Sequence, residues 1–112
     1  MRSIRSFVSI IALFAAVVAN ARVPVGTLTG HVLDARGNAV PNASVTIQTS
    51  IGQHPHATYT DTSGRFAFVR FEAGEYDLRA FSRGAYSDWA KRVFIGPNKT
   101  SEITLHLKPV RQ

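Results

Sequence analysis

From Thr27 onward, apolar and polar residues alternate in short runs, and clusters of turn-forming residues separate them. Alternation of this kind, rich in β-branched residues, is the signature of half-buried β-strands. Seven strands are predicted, over 27–33, 43–49, 56–60, 65–69, 75–81, 86–95 and 101–107. In the second, Ala43, Val45 and Ile47 share one face, and Ser44, Thr46 and Gln48 the other. In the fifth, Tyr76, Leu78 and Ala80 point inward; in the last, Ile103, Leu105 and Leu107 alternate with Glu102, Thr104 and His106. The sixth is long and needs a bulge or bend. The expected core is Leu28, Val32, Val45, Ile47, Phe66, Phe68, Tyr76, Leu78, Val93, Ile103 and Leu105.

Turn chemistry separates these runs. Asp34-Ala35-Arg36-Gly37-Asn38 and Asp61-Thr62-Ser63-Gly64 both open on Asp and carry Gly where positive φ is wanted. Glu72-Ala73-Gly74 and Gly96-Pro97-Asn98 are the later breaks. Short strands at roughly ten-residue spacing indicate a β-sandwich with one face of each sheet buried. No helical period runs through this region.

The first residues read differently. Arg2 and Arg5 precede an apolar run from Phe7 to Val18, followed by Ala19-Asn20-Ala21. That is the layout of a secretory signal peptide, with cleavage predicted after Ala21. The run falls short of the roughly 20 apolar residues of a membrane span, so the processed protein is not expected to be integral to a membrane. The expected division is a signal peptide over 1–21 and one domain over 22–112, secreted or periplasmic. The chain has no cysteine, which removes disulfides, thiol catalysis and zinc–thiolate sites. Processing leaves eleven basic and seven acidic residues, a net of 11 − 7 = +4. Both signs are interspersed along the chain, unlike the concentrated charge of a nucleic-acid binder, so no nucleic-acid partner is expected.

Two blocks carry a family resemblance. The first is Gly30-His31-Val32-Leu33-Asp34 with Gly37, Val40-Pro41, Ala43 and Val45. The second runs Thr60-Asp61-Thr62-Ser63-Gly64-Arg65-Phe66-Ala67-Phe68 and on to Gly74-Glu75-Tyr76-Asp77-Leu78-Arg79-Ala80. Together they resemble the carboxypeptidase regulatory-like domain, a transthyretin-like or prealbumin-like sandwich. The resemblance implies an all-β, seven-stranded Greek-key β-sandwich without catalytic function or cofactor. Such domains usually accompany another domain, whereas this sequence reads as a sandwich standing alone. A role would then rest on the sandwich itself or on a separate partner.

Chemical constellations are sparse. His54 and His56, two apart, would share a strand face, but a metal site needs three or four ligands, so no metal is expected. Asp61, Ser63 and Arg65 could suggest acid, nucleophile and anion clamp, yet they sit in a turn the fold already requires. The hydroxyisourate hydrolases that share the fold end in Tyr-Arg-Gly-Ser; this chain ends Pro109-Val110-Arg111-Gln112. Lys–Asn cross-links of pilin-type sandwiches use an early-strand lysine, whereas the first lysine here is Lys91. Asn42-Ala43-Ser44 and Asn98-Lys99-Thr100 fit the N-glycosylation pattern at turns.

After Ala21, six aromatic residues lie outside the core set. Phe71, Phe81 and Phe94 are expected to close the sandwich ends. Tyr59, Tyr86 and Trp89 are amphipathic rings that can stack on a sugar or anchor a protein, and they are the candidate contact residues. The function they suggest is a non-catalytic module binding a protein or cell-envelope partner. Carbohydrate binding is the alternative; a transthyretin-like hydrolase rests on fold analogy alone.

Overall fold

The structure is a computed structural model that describes residues 23–110. The signal peptide expected over 1–21, its cleavage point after Ala21, and Arg22, Arg111 and Gln112 lie outside the described residues. The described residues form strands and turns with no helix. None of their segments is a helix long and apolar enough to cross a membrane.

The strands are β1 (Val25–Leu33), β2 (Ser44–Thr49), β3 (His56–Tyr59), β4 (Arg65–Glu72), β5 (Gly74–Ser82), β6 (Ala85–Tyr86), β7 (Ala90–Ile95) and β8 (Thr100–His106). They build two sheets. The smaller has the order β4-β1-β8, with β1 antiparallel to β4 and parallel to β8. The larger has the order β3-β2-β5, and both β6 and β7 pair with the far side of β5. The chain crosses between sheets after β1, β3, β4 and β7, which gives the Greek-key path of a sandwich.

Eight strands stand where alternation predicted seven, because the sixth is interrupted. Arg83 and Gly84, both at positive φ, make a two-residue hairpin between β5 and β6. At Ser87 the ladder breaks: the Ser87 hydroxyl accepts the Ala80 N–H at 2.8 Å and donates to the Asp88 carbonyl at 2.9 Å. Ser87 itself bridges to Leu107, and the Lys108 N–H donates to the Tyr86 carbonyl, so the interruption ties this edge to the end of β8. The loop it releases carries Asp88 and Trp89.

The core lies between the sheets and follows the alternation. Leu28, Val32, Val45, Ile47 and Leu78 are fully buried, with Phe66, Phe68, Tyr76 and Leu105 nearly so. Val93 and Ile103, expected there, are half-buried at its rim because β7 and β8 are edge strands. Ala43, Ala80, Ile95 and Leu107 complete it. Gly30 is packed so closely that a Cβ would meet the Ile103 carbonyl and come within 2.5 Å of the Phe66 ring. Phe71 closes one end as predicted, edge-on to Phe68 and Tyr76 at 5.3 and 5.8 Å.

Polar groups fix the loops around this core. The Asp34 carboxylate accepts the Arg36 and Asn38 N–H groups, each at 2.9 Å. Asp61 does the same for Ser63 and Arg65 at 2.8 and 3.0 Å. Thr60, buried just after β3, donates to the Val40 carbonyl at 2.6 Å and accepts the Ala43 N–H at 2.8 Å. Two bulges place Arg70 and Arg92 at positive φ, and the buried Asp77 carboxylate accepts the Arg92 N–H at 3.0 Å.

Candidate functional site

The outer, solvent-facing side of the larger sheet gathers the unclaimed rings. Side chains of residues paired across a sheet point to the same face. Tyr59 of β3 pairs with Ser44 of β2; Ser44 pairs with Phe81 of β5; Phe81 pairs with Tyr86 of β6. One row across the sheet therefore reads Tyr59, Ser44, Phe81, Tyr86. Because Val45, Leu78 and Ala80 point inward, this row points outward. Tyr59 is 67% exposed, Tyr86 47% and Phe81 37%. Phe81 and Tyr86 stack at 4.5 Å between centroids.

The next outward position on β5 is Arg79, half-buried. Its guanidinium carbon lies 4.3 Å from the centroid of Tyr86 and 4.7 Å from that of Trp89. Ring quadrupoles attract a cation placed over their faces, by about 0.5–1 kcal/mol at an exposed site. The break at Ser87 is what swings Trp89 over this side chain. The neighbouring Asp88 carboxylate does not neutralise Arg79; it pairs with Lys108 at 2.8 Å.

A shallow groove of about 500 Å³ runs beside the row. Tyr59 and Phe81 form its sides, with Pro41, Asn42, Ser44 and Arg83 around them. Two bonds made by Thr60 hold the 40–43 segment that borders this groove. The groove can accept a flat apolar surface between two rings and offers a hydroxyl, an amide and a guanidinium to its polar edge.

Of the three residues singled out from sequence, Tyr59 and Tyr86 thus sit on one face of one sheet, and Trp89, in the loop before β7, lies against Arg79 of that face. Phe81 and Phe94 are corrections. Both were expected to close the sandwich ends, yet Phe81 lies in the exposed row and Phe94 is 58% exposed on the same outer side, paired with Glu75. The alternation already held that signal, since Phe81 has the opposite parity to Leu78 and Ala80. Arg79 carried no such mark, because an outward arginine on a strand is ordinary.

Most of the remaining candidates are engaged in turns and packing. No group of three or more potential ligands gathers around His54 and His56 among the described residues. His56 instead packs edge-on against Phe71 at 5.4 Å. Backbone N–H groups of Arg65 and Ser63 hold the Asp61 carboxyl below its ordinary value, and those of Asn38 and Arg36 do the same for Asp34. Both carboxylates are committed to their turns. Burial raises the Tyr76 phenol, whose hydroxyl donates to the Glu72 carbonyl at 2.6 Å. Asn42 and Asn98 are exposed at positive φ, as turn asparagines often are.

Comparison with known proteins gives one family and one architecture. The sequence pattern of the carboxypeptidase regulatory-like domain matches residues 27–108. No curated protein matches in sequence. Among solved structures, a minor pilin of Streptococcus agalactiae is similar at 19% identity and a TM-score of 0.67, over 80% of this chain and 47% of the pilin. Catechol 1,2-dioxygenase from an Acinetobacter species is similar at 14% identity and 0.61, over 82% of this chain and 55% of the enzyme. A candidate carbohydrate-binding protein of Pseudomonas aeruginosa is similar at 14% identity and 0.54, over 80% of this chain and 92% of that one. The chain thus spans about half of the pilin and of the dioxygenase. At these identities the likeness is one of fold.

Proposed function

The chain belongs to the carboxypeptidase regulatory-like domain family, and from that membership and the exposed aromatic row we propose a non-catalytic binding module. Its contact surface is the outer face of the larger sheet, and its partner is a protein or glycan of the cell exterior. The observation that carries this reading is the register-aligned row Tyr59, Ser44, Phe81, Tyr86. Three large rings left in water on one face are a surface that a partner would cover, since exposed apolar groups gathered in one patch mark interaction sites. The non-catalytic part is supported by membership of a regulatory-like domain family and by the commitment of Asp34 and Asp61 to turns. The secreted or periplasmic location, with a leader over 1–21 and the domain over 22–112, is supported by the charge-then-apolar opening and Ala19-Asn20-Ala21.

Affinity capture from the envelope of the producing cell tests the reading. The wild-type protein should retain a specific partner, and Tyr59→Ala and Phe81→Ala should each lose most of it while keeping the wild-type melting temperature within a few degrees. Capture unchanged by both substitutions would remove this face from consideration. Glycan binding is the second reading, favoured by the groove between Tyr59 and Phe81.

A further inference from the structure

Arg79 holds its charge in an unusual way. Its guanidinium is flanked by the rings of Tyr86 and Trp89 and has no carboxylate within ion-pair distance among the described residues. Nor does any described protein group accept a hydrogen bond from it. Contact with ring faces attracts the cation but leaves its planar edge of N–H donors unused. That edge is the geometry that receives a carboxylate on two parallel bonds. Two residues along the strand, on the same face, Phe81 offers a flat apolar surface. Tyr59 offers another two strands away, about 10 Å from the strand spacing. Arg83, at the hairpin tip, supplies a second guanidinium at the groove.

We propose that the outer face binds an acidic polysaccharide, a run of uronate residues whose sugar rings lie on Phe81 and Tyr59 and whose carboxylates meet Arg79 and Arg83. The proposal rests on the reading of this face as the contact surface and narrows its partner. A pyranose ring has an apolar face of C–H groups and an equatorial rim of hydroxyls. The rings of the row suit the face; Ser44 and Asn42 suit the rim. A neutral sugar would leave the Arg79 donors without a partner, and a free small anion would leave the aromatic row unused. A uronate satisfies both. A single-stranded nucleic acid also combines rings with charge, but its backbone wants a continuous cationic track. Arg79 and Arg83 here stand as two separate guanidiniums, before and after Phe81 in the chain, and form no such track.

The test uses the protein as purified from its producing cell, titrated calorimetrically with polygalacturonate oligomers, with their fully methyl-esterified form, and with a single-stranded oligonucleotide. The free acid should bind. Esterification should weaken binding about 10- to 100-fold, the range expected for hydrogen bonds to a charged group. Arg79→Gln should weaken binding of the acid by a substantial part of that factor, since Arg83 keeps its own carboxylate, and leave the ester nearly unchanged. Arg79→Lys keeps the charge and loses the fork, so it should recover only part of the loss, and it serves as the test should the glutamine variant melt early. Equal affinity for acid and ester, wild-type affinity in both Arg79 variants, binding of neither polymer, or tighter binding of the oligonucleotide would each overturn the proposal. Capture of an envelope protein that is lost in Tyr59→Ala, together with indifference to both polymers, would overturn the uronate assignment while sparing the face. Unaltered capture in Tyr59→Ala and Phe81→Ala would strike the face itself.

Discussion

The groove depends on a hydroxyl that touches no partner. Thr60 is 4% exposed and joins two backbone groups, the Val40 carbonyl at 2.6 Å and the Ala43 N–H at 2.8 Å. Between these residues lie Pro41 and Asn42, which border the groove, and beside Thr60 stands Tyr59. Thr60→Val keeps the shape and deletes the hydroxyl. Ala43 is fully buried, so its N–H would be left without a partner, at about 1–3 kcal/mol. The Val40 carbonyl belongs to a half-buried residue that water can reach, so its loss costs about 0.5–1.5 kcal/mol. Together the substitution should destabilise the domain by about 2–4 kcal/mol. At about 4–8 °C per kcal/mol for a domain of this size, the melting temperature should fall by about 8–32 °C. Thr60→Ser keeps the hydroxyl and loses one methyl, about 1 kcal/mol. Urea titration of wild type and both variants is the assay, with the midpoint moving and the slope constant. A valine variant that unfolds at the same urea concentration as the serine variant would refute the latch and the loop geometry built on it.

Other substitutions probe the frame and its charge. Gly30→Ala should cost about 1–3 kcal/mol or prevent folding, because the added carbon meets the Ile103 carbonyl and the Phe66 ring; a wild-type melting curve would contradict that packing. Arg92 sits at φ 56° in a bulge where glycine is free to go, and Asp77 can accept the N–H of either residue. Arg92→Gly should therefore change stability by between zero and about 1 kcal/mol in the favourable direction, and a clear loss by urea titration would show the side chain to be structural. Asp34 and Asp61 have folded values below their unfolded ones. Their contribution is complete above the unfolded carboxylate range and disappears as pH falls through the folded values, so melting temperature should drop below about pH 4. The double variant Asp34→Asn, Asp61→Asn keeps the acceptors without the charge and should show a shallower acid limb; an identical limb would mean that other groups govern it.

The fold was legible because one physical demand, a dry face and a wet face on each sheet, writes itself into alternate residues. The second strand's Ala43, Val45 and Ile47, all fully buried, show it without exception. The two Asp-first turns were legible because they are local: one carboxylate, two N–H groups and a glycine within five residues. The interruption at Ser87 was not, since it depends on a hydroxyl reaching the Ala80 N–H seven residues back in chain order and on a bridge to Leu107. Tyr59, Tyr86 and Trp89 could be picked out as rings the core did not claim. Their convergence could not, because it comes from the register of β3, β2, β5 and β6, which only the folded sheet sets. Arg79 becomes visible only once the Tyr86 and Trp89 rings come against it. Phe81 and Phe94 went astray because a hydrophobic residue beside a strand end was given to the core when its parity placed it in water.

Two-dimensional amide NMR of the labelled protein, titrated with polygalacturonate oligomers, puts the contact surface to the most direct trial. The peaks of Ser44, Tyr59, Arg79, Phe81 and Tyr86 should move together and saturate on one curve, while those of the opposite sheet, such as Thr29, Ala67 and Thr104, stay in place. Movement confined to the β4-β1-β8 face, or no movement at saturating oligomer, would contradict the assignment of binding to the aromatic row.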